Sequence, residues 1–241
     1  GGGRSMHQGG TAVLMGAEGL IDNARRLAAR LLQTSVDAVS YQAGMLRVAA
    51  TGHEVSLEEV ARASYEQPSD DVAPGLAHRA THLCDRYTFP NGCHVAEVEI
   101  DPDTGEVKLD RYLIFDDFGR LLDPRLTLGQ VHGGVVQGIG QALLEQALFD
   151  LDTGQVLSGS LMDYALPRAD DVPSFEGELT QQFPSKANRL GVKGSGQAGA
   201  IAAPATVMNA VMNALAPLGV THLDMPATPS RGWEAIRKAR G

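Results

Sequence analysis

Three glycine-rich segments constrain the fold of this chain more than any other feature of its sequence. They are Gly1–Gly10, Gly129–Gly140 and Gly191–Gly199, and each lies at the start of an apolar pattern at helical spacing. Glycine lets backbone N–H groups approach a ligand closely, and a helix N-terminus adds unpaired donors and a partial positive charge. The pattern therefore predicts helix N-terminal loops that suit phosphate or another anion. The alternative is that these glycines only allow tight turns and close helix packing.

Charged and hydroxyl side chains within or beside these segments favour the anion interpretation. Arg4 and Lys193 would add positive charge. Further donors are the hydroxyls of Ser5, Thr11 and Ser195. The run GVKGSG nevertheless lacks the spacing and the Lys-Ser/Thr pair of a P-loop, and GVVQGIG has the wrong glycine spacing for a dinucleotide-binding fold. Spacing alone predicts an anion or cofactor binder and does not name the ligand.

Hydrophobic periodicity predicts an α+β fold in two lobes, with the first lobe at residues 1–70. Apolar residues from Val13 to Leu32 recur at helical spacing and predict a long amphipathic helix. A hairpin is expected over residues 39–48, around Ala43-Gly44, and a capping box at Ser56–Glu59 predicts the start of a short helix. The polar loop at residues 67–75 marks the boundary between the lobes.

The second predicted lobe, residues 71–241, begins with strands and continues with helices. His94–Ile100 and Glu106–Phe115 flank a turn sequence and predict a hairpin. Helices are predicted at residues 128–149, 200–215 and 231–240. The helix at 200–215 is apolar on nearly every face, which predicts that it is buried on all sides. Hairpins and separate helices favour α+β over a regularly alternating parallel sheet.

Composition narrows the class of protein. An apolar fraction of 43% and a charged fraction of 20% are ordinary for a soluble globular protein. The net charge of −9 argues against nucleic-acid and anionic-membrane partners. No apolar run approaches the roughly 18 residues of a membrane span, no signal peptide pattern is present, and two cysteines make no disulfide framework. We expect a cytoplasmic protein. Because the chain begins with Gly1 and not with an initiator Met, we also expect upstream sequence or a partner chain.

Several longer motifs occur in a fixed order along nearly the whole chain. They are Tyr87–His94, Gly129–Gly134, Gln137–Gly140, Asp163–Pro167 and Leu190–Gly194 followed by Gly196. In these motifs the chain resembles the C-terminal part of the molybdopterin-binding large subunits of xanthine dehydrogenases, aldehyde oxidases and aerobic carbon monoxide dehydrogenases. The resemblance implies an α+β cofactor-binding part that is incomplete as an enzyme.

The resemblance also implies a molybdenum pyranopterin cofactor, often carried as a cytosine dinucleotide. Gln130 matches the position whose side-chain amide hydrogen-bonds the pterin, and an amide suits its mixed donor and acceptor edge. The segment that cradles the phosphate side matches Arg4, Ser5, Gly10, Thr11 and Ala12. The loop beneath the metal matches Lys193, Gly194 and Gly196. No residue of this chain is expected to ligate the metal directly.

The implied reaction places water-derived oxygen on an electron-poor carbon of an aromatic heterocycle or an aldehyde, with a glutamate as general base. The glutamate position is Gln197 here. A primary amide takes up no proton near neutral pH, so Gln197 is not this base but can still hydrogen-bond the substrate. Three explanations stay open: an engineered substitution, a natural enzyme with another base or chemistry, or a member without the hydroxylase step.

The resemblance implies partner chains as well. The N-terminal half of the large subunit is absent, so we expect it on another chain or in the rest of a longer chain. The resemblance implies an iron–sulfur subunit and an FAD subunit, and because no cysteine pattern for an iron–sulfur cluster exists here, we expect the [2Fe-2S] centres on a partner subunit. The expected substrate is a small molecule. Two rivals are a non-catalytic cofactor-binding or assembly subunit, and an unrelated nucleotide- or phosphate-binding module.

A few other polar residues receive structural interpretations. Because neighbours on a strand face opposite ways, we expect Cys93 in the core and His94 at the surface. Asp116 and Asp117 are expected in a loop with ordinary ion pairs. Packing is favoured over a cofactor contact for His132. Turn formation and packing are likewise expected of Asp163 and Tyr164, and core packing of Met208 and Met212.

Overall fold

The structure of the protein is a computed structural model. The structure describes residues 3–68, 70–84 and 86–241. The chain divides into two compact units. The N-terminal unit is Ser5–Asp85, and the C-terminal unit comprises Arg86–Gly241 together with the residues up to Arg4.

The first long helix of the N-terminal unit confirms the strongest periodic pattern. Helix α1 covers Thr11–Leu31 and follows a π-helical turn at Ser5–Gly10 without a break. Thr11 is fully buried, and its hydroxyl donates to the carbonyl of His7 at 2.7 Å. The first glycine-rich segment is therefore mostly helical. The prediction of a loop ending at Gly10 is wrong, because the helical backbone starts one and a half turns earlier.

A small antiparallel sheet follows α1. Strands β1 (Val39–Gln42), β2 (Met45–Val48) and β3 (Glu54–Ser56) lie in that order. The predicted β1–β2 hairpin is confirmed. Its turn residues Ala43 and Gly44 have φ values of 48° and 84°, the left-handed conformation that a two-residue hairpin requires. The third strand was not predicted.

Helix α2, Leu57–Glu66, starts at the predicted capping box. Ser56 accepts a hydrogen bond from the N–H of Glu59, and the Glu59 carboxylate accepts one from the Ser56 N–H. Val72 and Leu76, which follow the polar loop, are buried in the core of this unit. The unit therefore extends past residue 70, where we predicted the boundary, because these side chains pack with α1 and α2.

The C-terminal unit has a mixed sheet of β4 (Asn91–Ile100), β5 (Val107–Asp117) and β6 (Phe175–Thr180). β4 and β5 form the predicted antiparallel hairpin, with a register shift between Glu97 and Val98. β6 pairs in parallel with β5 and was not predicted. Two small sheets with separate helices confirm the α+β class.

Three helices complete the C-terminal unit: α3 (Pro124–Leu143), α4 (Ala198–Leu215) and α5 (Pro229–Arg240). Asp123 caps α3 by accepting hydrogen bonds from two backbone N–H groups. The helix therefore begins before the predicted residue 128 and also ends before residue 149. As a result, the glycine-rich segment Gly129–Gly140 lies in the middle and C-terminal part of α3 and not at its N-terminus.

The core of this unit lies between the sheet and the helices α3 and α4. The buried stripe of α4 consists of Gly199, Ala203, Val207, Val211 and Leu215. The prediction that α4 is buried on all faces is wrong, because Ile201 is 72% exposed. By length and composition Ala198–Leu218 could cross a membrane, with a mean hydropathy of 1.3, but one such helix is weak evidence for a span.

Candidate cofactor site

Helices α3 and α4 approach each other closely through glycine. A Cβ added to Gly134 would lie 2.8 Å from the backbone nitrogen of Ala200, and one added to Gly199 would lie 2.6 Å from that of Val135. Any side chain at these positions would collide with backbone. Gly134 and Gly199 thus act by helix packing, and they bring the N-terminus of α4 against the middle of α3.

Two exposed amide side chains flank this helix contact. Gln130 lies on α3 one turn before Gly134, and Gln197 is the N-cap residue of α4, two residues before Gly199. The side chain of Gln197 makes no capping hydrogen bond to its own helix. Amides donate and accept hydrogen bonds without changing charge. This end of the helix pair therefore offers neutral donors and acceptors to a ligand.

The third glycine-rich segment is bound to the chain that follows β5. The N–H of Lys193 donates to the carbonyl of Phe118, and the N–H of Arg120 donates to the carbonyl of Gly191, both at 2.9 Å. This is a short antiparallel pairing between two irregular segments. It fixes the start of the loop 194–197, as predicted for a loop that leads into a helix.

Lys193 lies inside the protein and not in an open anion site. Its Nζ donates to a carboxylate oxygen of Asp117 and to the amide oxygen of Asn91, each at 2.7 Å. The side chains of Lys193 and Asp117 are 9% and 3% exposed. The ammonium charge is compensated within the unit. The expectation that Lys193 adds positive charge for an anionic ligand stays a prediction, whereas its ion pair with Asp117 is part of the structure.

Several hydrogen bonds keep the Asp117 carboxylate ionised. Burial raises the pKa of Asp117, but hydrogen bonds from Lys193 and from the N–H groups of Gly119 and Phe183 outweigh it and lower the pKa below the ordinary value. Asp117 ends β5 and is buried. The expectation of a loop position is wrong for both acidic residues, since β5 continues through Asp116 and Asp117.

A second buried polar pair, His94 and Asp116, lies next to Asp117 in the sheet. His94 hydrogen-bonds the Asp116 carboxylate through Nε2 at 3.2 Å and the Tyr112 hydroxyl through Nδ1 at 2.9 Å. Burial raises the pKa of Tyr112 to about 12. Cys93 is exposed, whereas the His94 side chain is 2% exposed. Their faces are opposite to our prediction, because Ala96 and the alternate residues after it pack on the core.

The first and third glycine-rich segments meet within the C-terminal unit. A Cβ on Gly3 would lie 2.7 Å from the Cα of Gly194, so these backbones touch. Arg4 follows directly and belongs to the same unit. A Cβ on Gly196 would have no atom within 4 Å, so that position faces open space. The N-terminal unit holds the remaining predicted cofactor residues, Ser5, Gly10, Thr11 and Ala12.

Other polar residues near α3 have structural roles, as predicted. The His132 ring packs edge-on against Phe175 with centroids 5.2 Å apart, and burial lowers the pKa of His132. The Tyr164 hydroxyl donates to Glu145 at 2.6 Å, which raises the pKa of Tyr164. Asp163 accepts a hydrogen bond from Ser160 in a turn.

Sequence reasoning missed Asn91 and Asp117 as the partners of Lys193. The signal that could have found them is the hairpin register, which places Asn91 directly opposite Asp117. The register shift between Glu97 and Val98 hides that pairing from a simple count. In residues 3–68, 70–84 and 86–241, no group of three His, Cys, Asp or Glu side chains is placed to hold a metal ion.

The residues present fit a pterin. Exposed amides at Gln130 and Gln197 match a mixed donor and acceptor edge. The open backbone at Gly196 leaves room for close approach. The family model for the molybdopterin cofactor-binding domain matches residues 1–173. The chain belongs to this family.

Curated relatives and solved structures agree with the family. The chain is 36% identical to the 6-hydroxypseudooxynicotine dehydrogenase complex subunit gamma of Paenarthrobacter nicotinovorans, over 95% of its length. It is 38% identical to the nicotine 6-hydroxylase large subunit of the same organism, over 89%. The fold matches carbon monoxide dehydrogenase from Oligotropha carboxidovorans with a TM-score of 0.89 and 30% identity, over 99% of this chain.

The chain spans less than a third of the proteins that it matches. It covers 29% of the first relative, 26% of the second and 30% of the solved chain. The matched relatives are named as a subunit of a complex and as a large subunit. The chain therefore corresponds to part of these larger subunits, and its match to the molybdopterin cofactor-binding domain confirms the family predicted from the motifs.

Proposed function

We propose that this chain holds the pyranopterin of a hydroxylase that places water-derived oxygen on a carbon of an aromatic heterocycle or an aldehyde. The enzyme would work in the cytoplasm with a polypeptide that supplies the rest of the large subunit, an iron–sulfur subunit and an FAD subunit. Two relatives named for nicotine-derived compounds favour a nitrogen heterocycle over an aldehyde. The cofactor form that we propose is the cytosine dinucleotide.

The observation that carries this proposal is the placement of Gln197. It is exposed at the start of α4, where the glycine contact with α3 also presents Gln130. Molybdenum with its pterin would supply the redox chemistry and an acidified water. Gln130 would hydrogen-bond the pterin edge, and Gly194 and Gly196 would let the backbone approach it. Gln197 would orient the substrate or water by hydrogen bonding without exchanging a proton.

For Arg4, Ser5, Gly10, Thr11 and Ala12 we propose contacts on the phosphate side of the cofactor. Two of these roles differ in kind. Arg4 carries a permanent charge, which suits a phosphate. Thr11 uses its hydroxyl hydrogen for the His7 carbonyl, so its contribution would come through packing or backbone.

A second candidate function is a cofactor-binding subunit without hydroxylase activity. Gln197 favours it, because an amide at this position takes up no proton near neutral pH. Asp116 and Asp117 directly precede the segment that pairs with residues 191–193. Both carboxylates are buried, and they already bind His94 and Lys193. Neither is available as a replacement base. Such a subunit would hold the cofactor and give no turnover even with a glutamate at residue 197.

The first experiment is molybdenum and pterin analysis of the complex purified from its native host with all co-purifying chains. Near-stoichiometric molybdenum with releasable pterin is the expected result. Absence of molybdenum from an intact complex would contradict the proposal. The second experiment compares Gln197→Glu with wild type for turnover of nitrogen heterocycles with a dye as electron acceptor.

The outcome at residue 197 separates the candidates. A gain of about 100-fold or more is expected if the missing step is general base catalysis. Gln141→Glu is the matched control, because it adds the same charge at an exposed position of α3 away from the loop. A loss of turnover in Gln197→Glu would show that the amide itself serves the reaction. Bound cofactor without turnover in both proteins would favour the non-catalytic subunit.

A further inference from the structure

We propose that Asp117 and Asn91 are positioning residues, which hold Lys193 and thereby set the loop 194–197 in the shape that receives the cofactor. The inference rests on the proposed function. It assigns Lys193 an internal role in place of direct contact with an anionic ligand. The loop is then preorganised by buried electrostatics and not by the ligand.

The two acceptors converge because of the β4–β5 register. Asn91 is the first residue of β4 and Asp117 is the last of β5, and they are directly opposite each other. Their oxygens each lie 2.7 Å from Nζ of Lys193. A hairpin end of fixed register is a rigid frame. The ammonium is therefore tied to the sheet and not to a mobile surface chain.

Burial makes this arrangement sensitive to its partners. An unpaired ammonium in a site with 9% side-chain exposure would be strongly unfavourable, and so would the unpaired carboxylate of Asp117. Asp117 also accepts hydrogen bonds from the N–H groups of Gly119 and Phe183, at 2.9 and 3.1 Å. These bonds hold the carboxylate in the orientation in which it accepts from Lys193.

The loop depends on its two ends for its shape. Lys193 anchors the first end, and Gly199, packed against α3, anchors the other. Between them, Gly194 and Gly196 have wide conformational freedom. Gly194 also touches Gly3, so its position affects the N-terminal segment that leads into Arg4. A shift of Lys193 would therefore reach Gln197 and the cofactor segments together.

The test uses four variants of the full chain in its native complex: Asp117→Asn, Asn91→Ala, Lys193→Met, and the double variant Asp117→Asn with Lys193→Met. Asp116→Asn is the matched control. It alters an equally buried aspartate on the same strand, but one that pairs with His94 and not with the loop. The readouts are molybdenum and pterin content, the rate of pterin release, and hydrogen exchange of the loop amides.

Asp117→Asn is expected to speed pterin release by about 10- to 100-fold, the range typical for loss of a supporting residue. Asn91→Ala removes a neutral acceptor and is expected to give a smaller change in the same direction, which keeps the test valid if Asp117→Asn folds poorly. The double variant should hold pterin better than Asp117→Asn alone, because it leaves no buried unpaired ammonium. The hydrogen-exchange rate of the loop amides should rise in Asp117→Asn and stay near that of the wild type in Asp116→Asn.

Three results would overturn the inference. One is unchanged release and loop exchange in Asp117→Asn. Another is an equal increase in Asp116→Asn, which would indicate general destabilisation. The last is loss of pterin in Lys193→Met when Asp117→Asn alone keeps its pterin and the double variant behaves as Lys193→Met does. That pattern is expected if Lys193 contacts an anionic ligand directly. A wild-type complex without molybdenum would instead contradict the proposed function, and loop exchange would still decide whether the anchor exists.

Discussion

The two glycine-rich segments of the C-terminal unit have similar compositions and different physical roles. In α3, Gly134 and Gly138 face α4 so closely that a Cβ on either would lie within 3 Å of an α4 atom. In the loop before α4, Gly196 faces open space. One segment uses glycine to bring two helices together. The other uses it to keep backbone accessible next to a buried ion pair.

The comparison shows what glycine content means in a cofactor-binding protein. A glycine in a helix allows a neighbouring element to pack against the position where other residues carry a Cβ. A glycine in a loop keeps the backbone N–H and C=O groups accessible to a ligand. The helix contact fixes where α4 begins, and the loop presents the residues that precede it. The rigid segment thus supports the open one.

The greatest loss of stability is expected when the ion pair that holds the loop 194–197 is removed. Asp117→Asn should lower the free energy of unfolding near neutral pH by about 3–5 kcal/mol, because it leaves the Lys193 ammonium buried without its counter-charge. Urea denaturation of the purified complex measures this. A loss below about 1 kcal/mol would mean that water or another group compensates the lysine.

The same variant predicts a pH dependence. The pKa of Asp117 in the folded protein is below its ordinary value of 3.8. Its ionised form therefore contributes stability above that pH, and the contribution is lost as the pH falls through the folded-state pKa. The difference between wild type and Asp117→Asn should be constant from pH 5 to 7 and shrink below about pH 4. A difference that stays constant down to the acid limit would contradict the ionised pair.

The next effect tests the packing half of the comparison. Gly134→Ala should lower the free energy of unfolding by about 1–3 kcal/mol, because its Cβ meets the backbone of α4. Gly133→Ala is the control one residue earlier on the same helix, where an added Cβ meets no atom within 4 Å. It should stabilise the protein by about 0.5–1 kcal/mol through helix propensity. Equal effects of the two changes would show that α3 and α4 do not pack as described.

The smallest effect tests the open half. Gly196→Ala should change the free energy of unfolding by no more than about 0.5 kcal/mol, since the position is exposed and unobstructed. A larger reduction in pterin content than in stability is expected, because the new methyl group would occupy space proposed for the ligand. Pterin analysis and thermal denaturation of the same preparation compare the two quantities. A large loss of stability would show that Gly196, like Gly134, packs closely against neighbouring atoms.

Local patterns predicted most of the elements. The helix α1, the two hairpins and the capping box at Ser56 follow from periodicity and turn chemistry, which depend on neighbours in sequence. Strand β6 was not predicted, because its partner β5 pairs Tyr112 with Phe175, far along the chain. The true start of α3 was missed because the glycines that follow it suggested a loop.

The order of the motifs along the sequence was enough to predict the family and the class of cofactor, because such motifs lie at fixed places along one chain. It also predicts that Gln197 occupies the position of the family's glutamate. Which glycines pack against another helix, which histidine is buried and which groups hold the Lys193 ammonium depend on contacts between distant parts of the chain. The partners of Lys193 lie 76 and 102 positions away in sequence. No local pattern encodes such a contact, since it exists only after the hairpin sets its register.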